Sequence, residues 1–588
     1  MKTINNLPIL FLSLLMVACS QNKNQDDQQA STVFNIKSNY LLLPIEDNAP
    51  EIRMQVKYNE ELPVEVIHLR LAREKADYWV KLEVANFKGS EISIDFENTD
   101  KNSWGIKNIQ QSDKFEFDYN ETYRPQYHFS PEYGWMNDPN GMVYFDGEYH
   151  LFYQYNPYGT KWQNMHWGHA VSTDLSSWTY LPVALAPDSL GSIFSGSAVI
   201  DVNNTAGFGK NAMVAIYTSA GRVQSQSIAY STDKGRTFTK YEGNPVIPNP
   251  GIPDFRDPKV FWHNESSQWI MSLATKQSIT FYGSPNLKNW TPLSEFGDGI
   301  GSHGGVWECP DLISLSYEGK TKWVLLVSIN PGGPNGGSAT QYFIGDFDGK
   351  TFKADALPYP LWLDYGRDNY AGVTWSNIPE NDGRKIFMGW MSNWDYANNV
   401  PTRNFRSAMT IARELKMKHN GRHLVVSNYP VVETNALRAS ESVKNNIVVE
   451  NELLVSNLLN NNKGTYELEM SLKPQNAGVF GFMLQNSKGE ELEFRFDMTT
   501  GFFSIHRQKS GLVDFEGRFA AGMNAPLVKK DAYKVRLLVD KASAEVFINE
   551  GELALTTIFF PTEVMNNLKF YTQSGKFSAE NIKIYSIN

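Results

Sequence analysis

Three carboxylates sit in local settings suited to nucleophilic and acid–base chemistry. Asp138 lies in Trp135-Met136-Asn137-Asp138-Pro139-Asn140-Gly141, between two amides, in a segment that Pro139 and Gly141 keep from becoming helix. Asp257 stands between Arg256 and Pro258, and Glu308 stands in Gly305-Val306-Trp307-Glu308-Cys309-Pro310. Two carboxyl groups flanking a glycosidic bond can hydrolyse it: one attacks the anomeric carbon, the other protonates the leaving oxygen and then activates water. The first must be ionised and the second protonated, so their surroundings must differ. Amide donors from Asn137 and Asn140 favour a charged Asp138. The mostly apolar run around Glu308, with other acids nearby, favours its protonated form and marks it as general acid/base. Asp257, beside Arg256, suits holding substrate hydroxyls as charge develops on the ring. Read singly, each motif also has a plain structural meaning, a tight turn for residues 138–141 and a buried ion pair for Arg256 and Asp257.

An internal repeat is what would bring the three acids together. Asn137-Asp138-Pro139, Phe194-Ser195-Gly196-Ser197, Arg256-Asp257-Pro258, Glu308-Cys309-Pro310-Asp311 and Tyr370-Ala371-Gly372 each open a strand-like run. They recur roughly every 50 to 60 residues, the length of one four-stranded propeller blade. A second series keeps the same period: Ser172 to Trp178, Ser231 to Phe238, Ser284 to Trp290 and Asp346 to Phe352, each a turn followed by an aromatic. Two markers with one period predict five blades, whose innermost strands converge on a central axis. After Asp138, Met142 to Phe145, Asp146-Gly147 and Tyr149 to Tyr153 read as a hairpin, with Asp138 where its first strand begins.

The flanking regions alternate without that period. Asp77 to Val84 and Ile92 to Phe96 mark a small β-domain over 32–118 with no catalytic signature. Thr465 to Met470, Glu491 to Phe496 and Ala544 to Ile548 mark a β-sandwich over 436–588. The fold class expected is all-β: a five-bladed propeller over 123–435, the C-terminal sandwich, and the additional N-terminal β-domain. The one helical connector expected is short, at 412–418.

With 588 residues and a formal charge of -10, the chain has length for several cores and no basic patch for nucleic acid. Its 15 Trp and 28 Tyr suit either β-cores or sugar stacking, which makes them a weak pointer. Lys2, the apolar run Leu7 to Val17, and Leu15-Met16-Val17-Ala18-Cys19 resemble a bacterial lipoprotein signal over 1–19, followed by a polar linker over 20–31. Cys19 would be the lipidated residue, and Met16 departs from the usual Leu at its position. The alternative is an ordinary secretory signal cut nearby. Either way the protein is exported, and the expected lipid anchor would place it at the periplasmic face or the cell surface. Cys309 is the only other cysteine, which leaves no disulfide and no cysteine-rich metal site, and it reads as a packed thiol. His166 and His169 straddle Trp167-Gly168 without acidic or cysteine partners at ligand spacing and read as structural. No metal and no cofactor are expected.

The strings WMNDPNG, QYNP, HWGHA, FSGS, FRDPKVFW, ECPDL and GWMSNWDYA, in this order, resemble glycoside hydrolase family 32: invertases, inulinases, levanases and related fructosidases. Each string alone is weak, and the ordered set is very specific. The likeness spans Tyr123 to Arg413 and continues more weakly in AEVFINEG of the sandwich. It implies a five-bladed propeller with an appended sandwich and a retaining mechanism on β-fructofuranosides. By position it implies Asp138 as nucleophile, Asp257 as transition-state stabiliser and Glu308 as acid/base. Implied sugar contacts are Asn137, Pro139, Asn140, Gln154, Trp162, Phe194, Ser195, Arg256 and Trp394. The implied partner is a fructan oligo- or polysaccharide such as levan or inulin, with sucrose as a further substrate. The N-terminal domain lies outside the likeness.

Three other functions compete. A sialidase needs an arginine cluster and a Tyr nucleophile, whereas only Arg256 and Arg367 stand near blade starts. A fructan-binding lipoprotein without turnover could afford to lose Glu308, which is present. Fructosyl transfer shares the covalent intermediate with hydrolysis and differs only in its acceptor. Exo action fits a funnel at a propeller axis; an endo-acting levanase or inulinase would need an open groove.

Overall fold

The computed structural model describes residues 30–59, 64–444, 446–455 and 463–587. The expected leader and Cys19 lie outside the described residues. The chain is all-β, and its strands form three regions in sequence order.

The central region is a ring of five sheets of neighbouring antiparallel strands, except that the short strand Phe405–Arg406 leaves the fifth sheet to pair in parallel with the first. The innermost strands are Gly134–Phe145, Ser192–Asp201, Phe255–His263, Val306–Tyr317 and Tyr370–Thr374. Each begins at one of the five repeated segments, so the spacing in sequence has become rotation about an axis. The first strand starts at Gly134 rather than beside Met142 and runs through Pro139. Pro139 is tolerated because the strand breaks register around it, between Met136 and Pro139. The second series of motifs is explained by turn chemistry. Ser172 Oγ accepts the Asp174 and Leu175 N–H groups, and Asp174 Oδ1 accepts those of Ser176 and Ser177 at 2.8 and 2.6 Å. Ser231 with Asp233 and Ser284 with Asn286 repeat this arrangement, turning the third strand of each blade into the fourth. Trp178, Phe238, Trp290 and Phe352 then pack between neighbouring sheets.

The expected helical connector at 412–418 is instead the strand Arg413–His419, paired with Lys385–Trp390 and Leu424–Pro430. Its burial alternates, with Arg413, Leu415 and Met417 inward and Lys416 exposed. That period of two is the strand signature, and the surrounding sheet decides the matter.

On one side lie a four-stranded and a three-stranded sheet from the N-terminal residues, packed through Leu41, Leu43, Met54, Val80 and Phe96. On the other, a seven-stranded and a six-stranded sheet stack over Phe480, Phe482, Phe494, Leu537 and Val546. The seam between propeller and sandwich is ionic: Arg413 meets Asp364 and Glu545, His128 lies between Asp540 and Glu545, and Arg507 meets Asp368.

Candidate active site

The site is aimed by irregularities in the innermost strands. All five break register at the axis end: at Met136/Pro139 and Asn140/Val143, Ile193/Gly196, Arg256/Lys259, Glu308/Asp311 and Tyr370/Val373. A bulge inserts an unpaired residue and re-aims the side chain beside it. Asp257, Cys309 and Ala371 take left-handed backbone with φ of 66°, 45° and 53°. Such conformations cost on the order of 1–2 kcal/mol each for non-glycine residues and persist only where the surroundings enforce them.

The three acids meet at this end. Ser195 Oγ donates to Asp138 Oδ2 at 2.7 Å, and Asn137 Nδ2 donates to Oδ1 at 2.9 Å. Asn137 is itself held by Trp135 Nε1 at 2.7 Å. Asp257 Oδ2 accepts the Cys309 N–H at 3.0 Å, and the Asp257 N–H donates to Thr218 Oγ1 at 3.0 Å. Glu308 Oε1 takes Arg256 through Nη2 at 2.9 Å and Nε at 3.1 Å, while Oε2 takes the Tyr370 hydroxyl. Cys309 Sγ lies 3.7 Å from Asp138 Oδ2 and 3.6 Å from Asp257 Oδ2, so one buried thiol touches both aspartates.

Electrostatics here differ from the sequence expectation in two ways. Burial pushes the Asp138 carboxyl above its ordinary range, although Ser195 and Asn137 pull it down as expected of hydrogen-bond donors. Burial likewise raises Asp257, to about 7; Arg256 opposes this, and the negative charge of Glu308 and Asp138 reinforces it. The Cys309 thiol is pushed well up by burial and by the three acids around it. Glu308 does not occupy the apolar setting its sequence neighbours suggest. Trp307 is fully buried on the blade side of the strand, and the carboxyl group faces a guanidinium and a phenol.

Among the implied sugar contacts, Ser195, Asn137 and Arg256 converge on the acids, as described. Trp162, Phe194 and Trp394 form an aromatic rim, with Trp162 6.0 Å from Phe194 and 6.3 Å from Trp394 between ring centres. Trp394 stacks on Trp135 at 5.8 Å, which ties the rim to the strand carrying Asp138. Asn140 has no exposed surface; its Oδ1 accepts the Gly196 N–H at 3.4 Å, and its Nδ2 is buried without a partner. Pro139 is also buried. Gln154 is buried and donates to the Ile193 carbonyl at 3.0 Å, bracing the second blade's inner strand. His169 is buried, stacked on Phe152 and 3.1 Å from His150, away from the acids. No cluster of metal-ligating side chains occurs among the described residues.

Tyr370 opens the fifth repeated segment, and nothing in its sequence neighbours marks it as the partner of an acid. Its place was legible there, and its contact with Glu308 needed the ring to close. Thr218 and Cys309 were likewise invisible as neighbours of Asp257, because both contacts are long-range.

Comparison with known proteins agrees with this geometry. Residues 128–428 match the glycosyl hydrolases family 32 N-terminal domain, and residues 433–586 match the family's C-terminal domain. Residues 26–127 match a domain of unknown function, DUF4980. The chain is 49% identical over 482 residues to the levanase of Bacillus subtilis (strain 168), covering 80% of this chain and 71% of that one. It is 40% identical over 519 residues to the extracellular exo-inulinase of Aspergillus awamori, covering 80% and 96%. The crystal structure of exo-inulinase from Aspergillus awamori superposes with a TM-score of 0.74 at 38% identity, covering 80% of this chain and 99% of that one. The β-fructofuranosidase of Schwanniomyces occidentalis complexed with fructosyl-erythritol gives 0.73 at 35% identity, covering 81% and 99%. Two family domains end to end, with the ring and sandwich that carry them, show that this chain belongs to glycosyl hydrolases family 32.

Proposed function

We propose that the protein is an exo-acting β-fructosidase that releases terminal fructose from fructans such as levan or inulin, and from sucrose. The observation that carries this is the meeting of Asp138, Asp257 and Glu308 at one end of the propeller axis, with Arg256 paired to Glu308 and near Asp257. Levanase and exo-inulinase are the names of relatives that cover most of this chain.

Asp138, held at both oxygens, attacks the anomeric carbon of a terminal fructosyl unit as the glycosidic C–O bond breaks. Glu308 gives its proton to the departing oxygen. In the second half-reaction Glu308 takes a proton from water, whose oxygen attacks the same carbon and frees Asp138. Asp257 accepts hydrogen bonds from ring hydroxyls, which strengthen as the ring becomes oxocarbenium-like. Negative charge collected on the axis favours that cationic state. Ser195, Asn137 and Arg256 fix the acids, while Trp162, Phe194 and Trp394 offer apolar faces to the sugar.

The test is a time course of products from levan, inulin and sucrose, together with Glu308→Gln. Fructose as sole early product is expected, and a ladder of oligosaccharides would refute exo action. Glu308→Gln is expected to lose about 10²–10⁴-fold on these substrates. The loss should be much smaller on an aryl β-fructofuranoside with a good leaving group, and equal losses would refute the acid role. The reading extends to export, consistent with the word extracellular in the name of the exo-inulinase relative, and to a lipid anchor at Cys19. Incorporation of labelled palmitate into the wild-type chain but not Cys19→Ala would test the anchor. No helix among the described residues is long and apolar enough to cross a membrane.

A further inference from the structure

Among the described residues the N-terminal domain contributes no acid to the site, yet it holds one of the site's walls. Residues 157–164 link the strands Glu148–Asn156 and His166–Ser172 of the first blade and turn a different face to each side. Toward the N-terminal domain, Thr160 Oγ1 donates to Asp47 Oδ2 at 2.9 Å and the Thr160 N–H donates to the Tyr78 hydroxyl at 3.0 Å. Tyr78 closes the triangle by donating to Asp47 Oδ1 at 2.6 Å. Asn164 grips the backbone of His68 from both ends of its amide: Oδ1 accepts the N–H at 2.8 Å and Nδ2 donates to the carbonyl at 2.7 Å. Tyr158 donates to Glu65 at 3.0 Å. Thr160, Asn164 and Tyr158 are buried, which shields these bonds from competing water.

Of the three residues between those anchors, Gln163 also turns to the N-terminal domain, its Nε2 donating to Glu51 Oε1 at 3.2 Å, while Lys161 and Trp162 face the opposite way, toward the site. Lys161 Nζ donates to the Asn398 carbonyl at 2.6 Å, and the Trp162 N–H donates to Asn398 Oδ1 at 3.0 Å. The indole of Trp162 is 38% exposed at the aromatic rim, the most open of the implied sugar contacts. Asp47 also faces Arg406 at 3.4 Å, whose short strand pairs with Gly134 and Trp135 at the start of the Asp138 strand. One carboxylate of the N-terminal domain therefore reaches both the loop bearing Trp162 and the strand leading to the nucleophile.

We propose that the N-terminal domain is a positioning element of the substrate rim, acting through the Asp47–Tyr78–Thr160 lock to set Trp162 opposite Trp394. The acids at the base of the site engage the terminal fructosyl unit, so the rim meets the part of a β-fructan that leaves or remains as polymer. The domain thereby governs affinity for the chain beyond the scissile bond. This rests on the fructosidase reading above and extends it to a region that supplies none of the chemistry.

The experiment is a double-mutant cycle on the full chain: Asp47→Ala, Trp162→Ala and the pair, with kcat and KM measured on a β-fructan oligosaccharide and thermal melting alongside. Each single variant should raise KM about tenfold with kcat nearly unchanged, since small misplacements of binding groups carry large costs. The pair should match Trp162→Ala alone. Asp47→Asn, which keeps an acceptor for Thr160, should restore most of the affinity. Additive effects, or a lowered melting temperature with KM unmoved, would overturn the proposal in favour of a purely structural clamp. An unchanged KM in Trp162→Ala would overturn it as well. If Asp47→Ala does not fold, Tyr78→Phe removes one link of the same lock and should raise KM about threefold, with an unmoved KM again refuting the proposal. An active parent whose KM ignores Asp47 removes this inference alone, whereas a parent with no turnover of any β-fructofuranoside removes both readings.

Discussion

Two clusters of buried charge serve this molecule in opposite ways. At the seam between propeller and sandwich, every acid meets a cation. Arg413 lies 2.8 Å from Asp364 and also pairs with Glu545; His128 reaches Asp540 at 2.8 Å and Glu545 at 2.7 Å; Arg507 reaches Asp368 at 2.6 Å. Burial pushes Asp540 and Glu545 up, but His128 and Arg413 outweigh it, and both carboxyls end below their ordinary range. Burial alone would lower His128, yet its two carboxylates hold it up at about 9. At the propeller axis Arg256 is the cation of Glu308 and Asp257, and of Asp254 beside them, and there burial wins: Asp138 and Asp257 both rise. The lesson is one of balance. A buried network whose charges cancel holds parts together, while a buried excess of one sign waits for a partner that the protein does not supply.

The comparison breaks most visibly at Asp138, the proposed nucleophile. Asp138→Asn removes a charge from the unbalanced cluster, and turnover should fall by about 10⁴-fold or more with thermal stability kept or slightly raised. Fructose release and a melting curve on one preparation measure both, and near-normal activity would refute the assignment. The next largest effect belongs to the seam. Arg413→Met takes the cation from Asp364 and leaves Glu545 with His128 alone, and should cost about 3–5 kcal/mol in chemical denaturation. The molecules that stay folded should keep their kcat/KM; a neutral result would mean the network is not structural.

The subtlest effect sharpens the contrast through pH. Asp257 rises from an ordinary 3.8 to about 7, so between these values the folded chain holds a proton that the unfolded chain has lost. Stability present below about pH 4 is therefore lost as pH climbs toward 7. Asp257→Asn should flatten that decline and raise the melting temperature by a few degrees at pH 7 and above. His128 rises from 6.5 to about 9, so its contribution is whole below 6.5 and fades as pH passes through 9. His128→Gln should be less stable at pH 6 and lose the alkaline stage of the decline. Melting temperature against pH for the parent and both variants checks the two windows, and identical profiles would refute the contrast.

Much of the fold was legible because its unit repeats. The five strand-opening segments and the Ser-initiated turns each recur at blade length, and a repeat in sequence becomes a rotation in space. The three acids were legible because each sits in one of those openings. What escaped was set by distant partners. Glu308 reads as surrounded by apolar residues along the chain, but across the ring it faces Arg256 and Tyr370. Asn140 reads as a companion of Asp138, and across the ring its Oδ1 meets the Gly196 N–H. The strand Arg413–His419 reads locally as a helical connector because Arg, Glu, Leu, Lys and Met are all good helix formers, and the neighbouring strands make its alternation decisive. The lock on Thr160 joins residues from two domains, and no local pattern in Asp47 or Tyr78 announces it.

The bulges carry a consequence for how such an enzyme can change. Asp257 and Cys309 owe their aim to a kink inside a hydrogen-bonded strand rather than to a loop. The backbone that aims Asp257 and Cys309 is therefore set inside the strands rather than in the surface segments that greet the substrate. Lengthening or reshaping those segments re-tailors which polymer is admitted without retuning the acids, whereas relaxing one kink, as by removing the extra residue beside Asp257, would turn a carboxylate away from the axis and silence the enzyme for every substrate at once. Diversity and conservation of chemistry are thus written into different kinds of backbone.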